Sequence, residues 1–372
     1  MADVIVVGAG PVGTLVSAEL ARQGVDVALL ERRSAPGEGT RAIGIHSPVL
    51  AALEGSGVTE RLLASAVRVS RGEARAEGRT LGVVRFDRLD RRFPFVAALP
   101  QAGTEAALAA GAPPAKREAE VTAVTPTGRG IRVSLARGDE LEAPIVVVAA
   151  GWRARSLVYR PRTVRVQPYA DRYLMADVHR SRDGDIAVVN VDASGVLESF
   201  PLPAGRRRFV AWDAAPGAPG SADRLRTALR ERGEHAAAGE VVEATAFEVR
   251  RAVAPALRRG GLFVIGDTAH EVSPIGGQGM NLGLLDAVTL APLLSAWVRT
   301  GVEPTLELQR WERRRVASAR TAAALATLNT SLGRPLGPAA HAARRAALRL
   351  ALLPPGARLL AHAYSMGFDR DA

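Results

Sequence analysis

Residues 4–13 read VIVVGAGPVG, in which four apolar residues are followed at once by a complete GxGxxG glycine pattern. A short run of valine and isoleucine is typical of a strand buried on both faces of a parallel sheet. The chain continues with a helical pattern over Thr14–Gln23, which Gly24 ends, a second apolar run over Val25–Leu30, and the acid Glu31. The order strand, glycine turn, helix, strand and acid predicts a Rossmann-type dinucleotide-binding unit.

The three glycines of this pattern have separate physical roles. Gly8 permits the tight turn, Gly10 leaves the backbone open to a pyrophosphate, and Gly13 lets the helix pack closely on the strand. The helix N-terminus offers free N–H groups and the positive end of its dipole to phosphates. The Glu31 carboxylate accepts hydrogen bonds from ribose hydroxyls and repels a 2′-phosphate. The site therefore favours FAD or NAD over NADP.

A second glycine-rich segment, residues 262–290, reads LFVIGDTAHEVSPIGGQGMNLGLLDAVTL. It predicts a strand over Leu262–Ile265, ended by a Gly-Asp pair, and a helix from about Met280. Asp267 is placed to hold ribityl hydroxyls, and the glycines within Gly276–Gly279 leave room for a flat ring. A helix dipole aimed at the ring stabilises the negative charge that a flavin gains on reduction. A simple NAD dehydrogenase does not need this second element, so the two segments together indicate FAD.

Taken in order, these segments resemble the class A flavoprotein monooxygenases, the para-hydroxybenzoate hydroxylase-like family of FAD-dependent aromatic hydroxylases. The resemblance covers roughly residues 1–335. The matching segments are Gly8–Gly13 with Glu31, Arg41–His46, Leu99–Gln101 with Glu105, Gly266–His270, Pro274–Asn281 with Asp286, and Trp311–Arg315. The resemblance implies a monooxygenase that uses molecular oxygen, through a flavin C4a-hydroperoxide, to hydroxylate an aromatic or polyketide-like small molecule.

The resemblance also implies which residues form the site. The flavin-facing loop is expected at Pro274, Ile275, Gly276 and Gly277. The residues expected to bind FAD are Gly8, Gly10, Pro11, Val12, Gly13, Glu31, Arg32, Arg41, Gln101, Val121, Gly151, Asp267, Gly277, Gly279, Met280 and Asn281. NADPH or NADH is expected as the external electron donor. The family usually has an Asp-Gly pair after the strand Ile145–Val148, and Ala150 at the aspartate position weakens the case for that donor.

The middle of the chain has a different pattern. Short alternating runs separated by turns predict an antiparallel sheet with one wet face. These runs are Thr163–Gln167, Tyr173–Val178, Ile186–Val191, Val196–Phe200 and Arg207–Trp212, with Leu81–Arg85 and Phe93–Leu99 expected to join them. The predicted fold class is α/β, a Rossmann-type FAD-binding domain interrupted by an antiparallel-sheet substrate domain, plus C-terminal helices. The predicted boundaries are 1–66, 95–158 and 251–332 for the FAD-binding domain, 67–94 and 159–250 for the substrate-binding sheet, and 333–372 for the helices.

Several other polar residues are weighed as candidates for the site. His46 and His270 are interpreted as structural hydrogen-bonding residues, and Arg313–Arg315 as a solvated helix face. Within Arg206–Arg208, strand alternation puts at most part of the group near a ligand. Tyr173 and Met175, which share a strand face with Asp177, are candidates for the substrate pocket. No paired catalytic carboxylates, metal-ligand spacing or nucleophile elbow is present, and a flavin enzyme does not require them.

The composition excludes several function classes. The net charge is +11, but the basic residues are scattered arginines apart from Lys116 and aromatics are only 4%, so nucleic acid is not an expected partner. Without cysteines, disulfides and thiolate chemistry are absent. We expect no secretory signal and no apolar stretch of membrane-spanning length, hence a cytoplasmic enzyme. The basic, amphipathic stretch over 341–364 is interpreted as a helix packed on the protein surface, with peripheral membrane binding as the alternative.

Three functions remain open. The first is the FAD-dependent monooxygenase. The second is a flavin-dependent C=C reductase of the geranylgeranyl reductase type, which Ala150 and the amphipathic C-terminal helix support. The third is a flavin-binding protein without enzymatic activity.

Overall fold

The elements of secondary structure follow the predicted order. The computed structural model describes residues 2–35, 42–179, 183–215, 217–369 and 371. The helices are α1 Pro11–Arg22, α2 Ser47–Leu53, α3 Val58–Leu63, α4 Gln101–Ala109, α5 Ser221–Glu231, α6 His235–Glu240, α7 Gly279–Thr300, α8 Thr305–Leu332, α9 Pro338–Ala351 and α10 Pro354–Tyr364. The strands are β1 Val4–Val7, β2 Val27–Leu30, β3 Gly44–Ile45, β4 Val67–Val69, β5 Arg71–Ala76, β6 Arg79–Arg85, β7 Val96–Ala98, β8 Val121–Pro126, β9 Ile131–Leu135, β10 Glu140–Ala143, β11 Ile145–Val148, β12 Gln167–Val178, β13 Ala187–Asp192, β14 Gly195–Pro201, β15 Arg207–Trp212, β16 Thr245–Val253, β17 Arg258–Arg259, β18 Leu262–Val264 and β19 His270–Glu271.

A five-stranded sheet carries the N-terminal unit, in the order β17-β18-β11-β1-β2. Strand β1 pairs in parallel with β11 on one side and β2 on the other, and all four of its residues are buried. A strand with two parallel neighbours has both faces covered, which explains its run of valine and isoleucine. Helix α1 begins at Pro11, earlier than the predicted Thr14, because proline suits the first turn of a helix.

An eight-stranded sheet occupies the middle of the chain, in the order β19-β16-β12-β15-β14-β13-β5-β6. It is antiparallel except where β13 pairs with β5. Two predictions about it are wrong. The segment Phe93–Leu99 supplies β7, which pairs with β3 and β4 in a separate small sheet, and Thr163–Gln167 contributes only the first residue of β12.

The two faces of this large sheet are covered differently. On one face, Leu174, Leu197 and Phe209 pack against Leu225 and Leu229 of α5. Side chains one residue away along the same strands point to the opposite face, because side chains alternate along a strand. Residues of that opposite face line one cavity together with Val7 and Leu30 of the five-stranded sheet, and so form one wall of the candidate site. The α/β fold class with C-terminal helices is confirmed, while the exact domain boundaries stay predictions.

Helix α7 is the apolar core helix of the N-terminal unit. It is long and apolar enough to cross a membrane, in contrast to the expectation that no such stretch exists. However, 61% of its most apolar window is buried inside the protein. Among the described residues no other helix meets these criteria.

The charge run Arg313–Arg315 on α8 is not wholly a solvated face, so that prediction is wrong for one residue. Arg313 and Arg314 are exposed, whereas Arg315 has no exposed surface. The Arg315 Nε donates to Asp286 Oδ1 over 2.7 Å, and its Nη1 donates to Asp369 Oδ1 over 2.9 Å. One arginine therefore connects α7, α8 and the segment that follows α10.

The partner carboxylate, Asp286, is also completely buried. It accepts hydrogen bonds from the backbone N–H of Gly266 and, over 2.6 Å, from His270 Nε2. Burial alone would raise the pKa of Asp286, but His270 and Arg315 outweigh it and hold the pKa at about 2. This pKa lies below the value of about 3.9 for an unfolded aspartate. The stabilisation is therefore complete above about pH 4 and is lost as the pH falls towards 2.

We predict that Arg315→Met lowers the free energy of unfolding by about 3–5 kcal/mol, because it leaves buried carboxylates without their counter-ion. Arg314→Met is the matched control on the exposed face, where a pair is worth about 0–1 kcal/mol. Urea unfolding of both variants at neutral pH measures the difference. Equal stability of the two variants would contradict the assignment of Arg315 as the connecting residue.

Candidate cofactor and substrate site

The first glycine turn has the geometry of a phosphate-binding loop. Gly8 adopts φ +102°, and a side chain there would lie 2.6 Å from the Ala150 Cα. A side chain at Gly13 would collide with the Gly8 carbonyl oxygen, so the helix lies as close to the turn as backbone allows. Gly10 is different, since an added Cβ would meet nothing within 4 Å. The N-terminus of α1 is therefore open at Gly10, where a pyrophosphate can approach.

Glu31 is buried at the end of β2 and is bound to the same turn. Its Oε2 accepts the Ala9 N–H over 2.8 Å, and its Oε1 accepts the backbone N–H and Nε of Arg33. Burial would raise the pKa of Glu31, but the hydrogen bonds from Arg33 and Ala9 hold it below its usual value. The carboxylate is thus ionised at neutral pH and braces the glycine turn.

The second glycine-rich segment packs directly on the first. Gly266 has φ +61°, and a side chain there would lie 3.1 Å from a methyl group of Val12. Gly283 on α7 meets the same valine, at 2.6 Å from an added Cβ. Asp267 is exposed and lines the cavity described below, next to Arg155, whose Nη2 donates to the Asp267 carbonyl. The structure thus brings both predicted segments to one place.

The loop Pro274–Gly277 is held by the N-terminal part of α7. Gly276 and Gly277 have φ values of +103° and +69°, which glycine adopts at little cost. The Asn281 Nδ2 donates to the carbonyls of Gly44 and Gly277, and its Oδ1 accepts the His46 N–H. Asn281 has no exposed surface and does not line the cavity, so it would position the loop instead of touching a cofactor.

Both histidines make structural hydrogen bonds, as predicted. His270 is bound to Asp286, and His46 Nε2 lies 3.3 Å from the Gly277 carbonyl oxygen. Burial lowers the pKa of His46 to about 4, so the imidazole is neutral at physiological pH. A neutral, buried His46 beside the loop is unsuited to general acid catalysis at that pH.

A single cavity of about 1150 Å³ joins the two glycine segments to the large sheet. Its wall contains most of the residues predicted for the cofactor site. These are Gly8, Gly10, Pro11, Val12, Glu31, Arg32, Gln101, Val121, Gly151, Asp267, Gly277, Gly279 and Met280. Gly13 and Asn281 lie behind this wall, and Arg41 lies outside the described residues.

The opposite side of the cavity is formed by the eight-stranded sheet. Met175 lines it as predicted, but Tyr173 is fully buried behind it and stacks on Phe247, with ring centroids 5.7 Å apart. Of the predicted arginine group, only Arg208 reaches the cavity, where it is paired with Asp177 over 2.6 Å. The other residues that the eight-stranded sheet contributes to the cavity wall are largely apolar.

Many residues that line this site were not identified from the sequence, including the polar residues Arg33, Glu198, Asn329 and Tyr364. Arg33 could have been noticed in the sequence, because it follows the acid Glu31 by only two positions. Glu198 could also have been noticed, because it is the single acid within the apolar strand β14. Asn329 and Tyr364 line the cavity from α8 and α10, and the Tyr364 hydroxyl donates to Asn329 Oδ1 over 2.9 Å. Nothing in a helical pattern could place those two residues.

The residues present fit an FAD molecule. Backbone is exposed without side chains at Gly10 and Gly151, an acid is bound to the first turn, and a glycine loop lies further along the same cavity. A dinucleotide requires this combination of phosphate access and polar groups along one elongated groove.

Comparison with known proteins agrees with this geometry. The model of a family described as "FAD binding domain" matches residues 1–324. The chain is 31% identical over 358 residues to 6-methylpretetramide 4-monooxygenase of Streptomyces rimosus, covering 89% of this chain and 63% of that relative. It is 30% identical over 333 residues to rifampicin monooxygenase of Rhodococcus hoagii, covering 83% and 68%. The chain thus spans about two thirds of the length of these relatives.

Among solved structures, p-nitrophenol 4-monooxygenase from Pseudomonas putida DLL-E4 is similar with a TM-score of 0.86 and 22% identity. The match covers 100% of this chain and 99% of that one. At this identity the likeness concerns the fold.

We predict opposite behaviour for valine at two glycines of the first turn. Gly10→Val leaves the fold intact, because its side chain enters open space, but weakens FAD binding about 100-fold or more. That loss corresponds to at least two hydrogen bonds to phosphate, each about 1.5–3 kcal/mol. Gly13→Val is the matched control and destabilises the protein itself, since its side chain meets backbone. Thermal melting without FAD and fluorescence titration with FAD measure the two effects. The reverse pattern would contradict the assigned geometry.

Proposed function

Since this chain belongs to the FAD binding domain family, we propose that it is an FAD-dependent monooxygenase that hydroxylates an aromatic or polycyclic small molecule. The observation that carries the proposal is the continuous cavity, with a glycine-rich dinucleotide groove on one side and a broad apolar sheet face on the other. A cofactor in the groove and a flat apolar substrate against the sheet would share that space.

The chain's own residues would hold the cofactor along this groove. Gly10 and Val12 at the start of α1 present backbone N–H groups and the helix dipole to a pyrophosphate, while Pro11 fixes the first turn of the helix. Glu31 offers carboxylate oxygens to the ribose hydroxyls, and Asp267 offers its own to the ribityl hydroxyls further along, towards the loop Pro274–Gly277. Bound FAD supplies redox chemistry and, after reduction, the activation of molecular oxygen.

The rest of the protein would position the substrate and exclude water. Val189, Val210 and Met175 line the sheet side, and Leu352 and Leu360 close the cavity from the C-terminal helices. Such a wall binds an aromatic ring by burying its apolar surface and leaves few sites for water. The two relatives named for 6-methylpretetramide and rifampicin support a substrate of this class.

We propose NADPH or NADH as the external electron donor. Ala150, which stands where the resembling family has an aspartate, lies against Gly8, so its position is beside the glycine turn. Because Ala150 has no carboxylate at this position, we expect NAD(P)H to reduce the flavin slowly. Chemical reduction with dithionite is therefore the reference against which both nucleotides are compared.

We predict that the FAD-loaded protein incorporates one oxygen atom from ¹⁸O₂ into a phenol or polyketide drawn from a small library, as measured by mass spectrometry. The control is the same reaction under strict anaerobiosis with reduced flavin, which should give no product. A product that forms anaerobically with two extra hydrogens would instead support the C=C reductase. Flavin binding without turnover of any library member would support the non-enzymatic flavin-binding protein.

A further inference from the structure

One carboxyl group, that of Glu198, lies in the apolar sheet wall of the cavity. Strand β14 reads GVLESFP, and register places Glu198 opposite Val189 on one side and Val210 on the other. Met175 follows Val210 in the same cross-strand row. All four residues line the cavity, and Glu198 is only 6% exposed. The carboxyl group therefore stands on the face that a substrate would contact.

This carboxyl group is not part of the polar contacts that connect the described elements of the fold. It makes no hydrogen bond or ion pair with any residue in the described ranges. Other buried acids of the sheet region are paired, as Asp171 is with Arg334 and Asp213 is with Arg224. Burying a carboxyl group without a partner costs free energy. A group kept at such a cost in a cavity is a candidate for binding or catalysis.

The surroundings of Glu198 keep most of it protonated at neutral pH, and the ionised form becomes the majority only as the pH rises above its pKa. Burial raises its pKa to about 8. The ionisable groups facing it from neighbouring elements are Tyr173 of β12, Tyr364 of α10, and Arg208 of β15, which is paired with Asp177. Burial also raises the pKa of both tyrosines, so they stay neutral. No free cation among these groups compensates a charge on Glu198.

Glu198 also lies close to the loop that would face the flavin. Ile275 of that loop packs in one cluster with Val196 and Val210, the neighbours of Glu198 along its strand and across it. Gly276 and Gly277 of the loop line the same cavity as Glu198. The carboxyl group and the flavin-facing loop therefore border the same space.

We propose that Glu198, in its ionised form, accepts the hydroxyl hydrogen of a phenolic substrate and draws its proton away, so that the phenol oxygen gains phenolate character beside the flavin-facing loop. This rests on the proposed function and names its substrate class. The phenol O–H bond breaks, a proton bonds to a Glu198 carboxylate oxygen, and the electron pair stays on the phenol oxygen. An ordinary glutamate, with a pKa of about 4.3, is a poor base for a phenol of about 10. A base with a raised pKa is better matched.

The test measures binding to the FAD-loaded, oxidised protein, so that it does not depend on turnover. The probes are 2-naphthol and its methyl ether, 2-methoxynaphthalene, which lacks the proton. Equilibrium dialysis compares the wild type, Glu198→Gln and the control Glu231→Gln, which changes an exposed carboxyl group on α5 at the opposite face of the sheet. At a pH above the Glu198 pKa of about 8, where this residue is ionised, Glu198→Gln should lose about tenfold or more in affinity for 2-naphthol. Its affinity for the ether, and both affinities of Glu231→Gln, should match the wild type.

The pH dependence separates a proton acceptor from a residue that only shapes the cavity. As the pH rises through about 8, Glu198 ionises and the wild type should bind 2-naphthol more tightly, because a charged acceptor makes the stronger hydrogen bond. The affinity of Glu198→Gln should stay flat over this range. Flavin absorbance shows whether each variant retains FAD.

Melting temperature supplies an independent measurement. A carboxyl group whose pKa is raised by folding destabilises the protein as the pH rises towards that pKa. At about pH 8 both Glu198→Gln and Glu198→Met should therefore melt at or above the wild-type temperature. A lower melting temperature for both would indicate a structural residue and overturn the proposal.

The remaining outcomes separate the two proposals. Equal loss of both probes in Glu198→Gln, or no preference of the wild type for the hydroxyl probe, would overturn the role of Glu198. Selective loss of 2-naphthol binding in a protein that incorporates no oxygen would leave the role of Glu198 standing. In that case only the proposed function would fail.

Discussion

The buried Asp286 carboxylate is the interaction on which the arrangement of this protein depends. It accepts hydrogen bonds from the Gly266 backbone N–H, the His270 ring and the Arg315 guanidinium. The carboxylate itself has no exposed surface. A buried charge is tolerated only when its partners are fixed. These contacts therefore fix the end of β18, the start of α7 and the middle of α8 relative to one another, and Arg315 extends the same constraint to Asp369.

The N-terminal half of the site could be predicted because its constraints are local. Gly8, Gly10 and Gly13 are required by backbone geometry, and such requirements are visible as residue types at fixed spacing. Arg315 could not be placed in the same way. In sequence it is one member of a run of charges, and only the packing of α8 on α7 determines that it turns inwards while Arg314 faces solvent. For the same reason, the segment Phe93–Leu99 showed strand character without showing which strands would pair with it.

The substrate side was less predictable because it is assembled from distant segments. Alternation in β12 correctly put Met175 on the cavity face, but it put Tyr173 on the same face, where packing against Phe247 covers it. Asn329 and Tyr364 lie on helices. The sequence pattern of a helix indicates that one side is apolar, but it does not indicate which surface of the protein that side covers. The sequence shows Glu198 as a lone acid in an apolar strand. Its functional meaning comes from the structure, in which its carboxyl group has no hydrogen-bond or ion-pair partner among the described residues.

The hydrogen bond between Tyr364 and Asn329, and the ion pair between Arg315 and Asp369, have a consequence for biosynthesis. The glycine turn at residues 8–13 leaves the ribosome before α7, α8 and α10, which carry the groups that make these contacts. Contacts so far apart in sequence form late in folding. Until they do, the nascent chain exposes the apolar strand Val4–Val7 and the cavity face of the sheet, so we expect high-level expression to need chaperones.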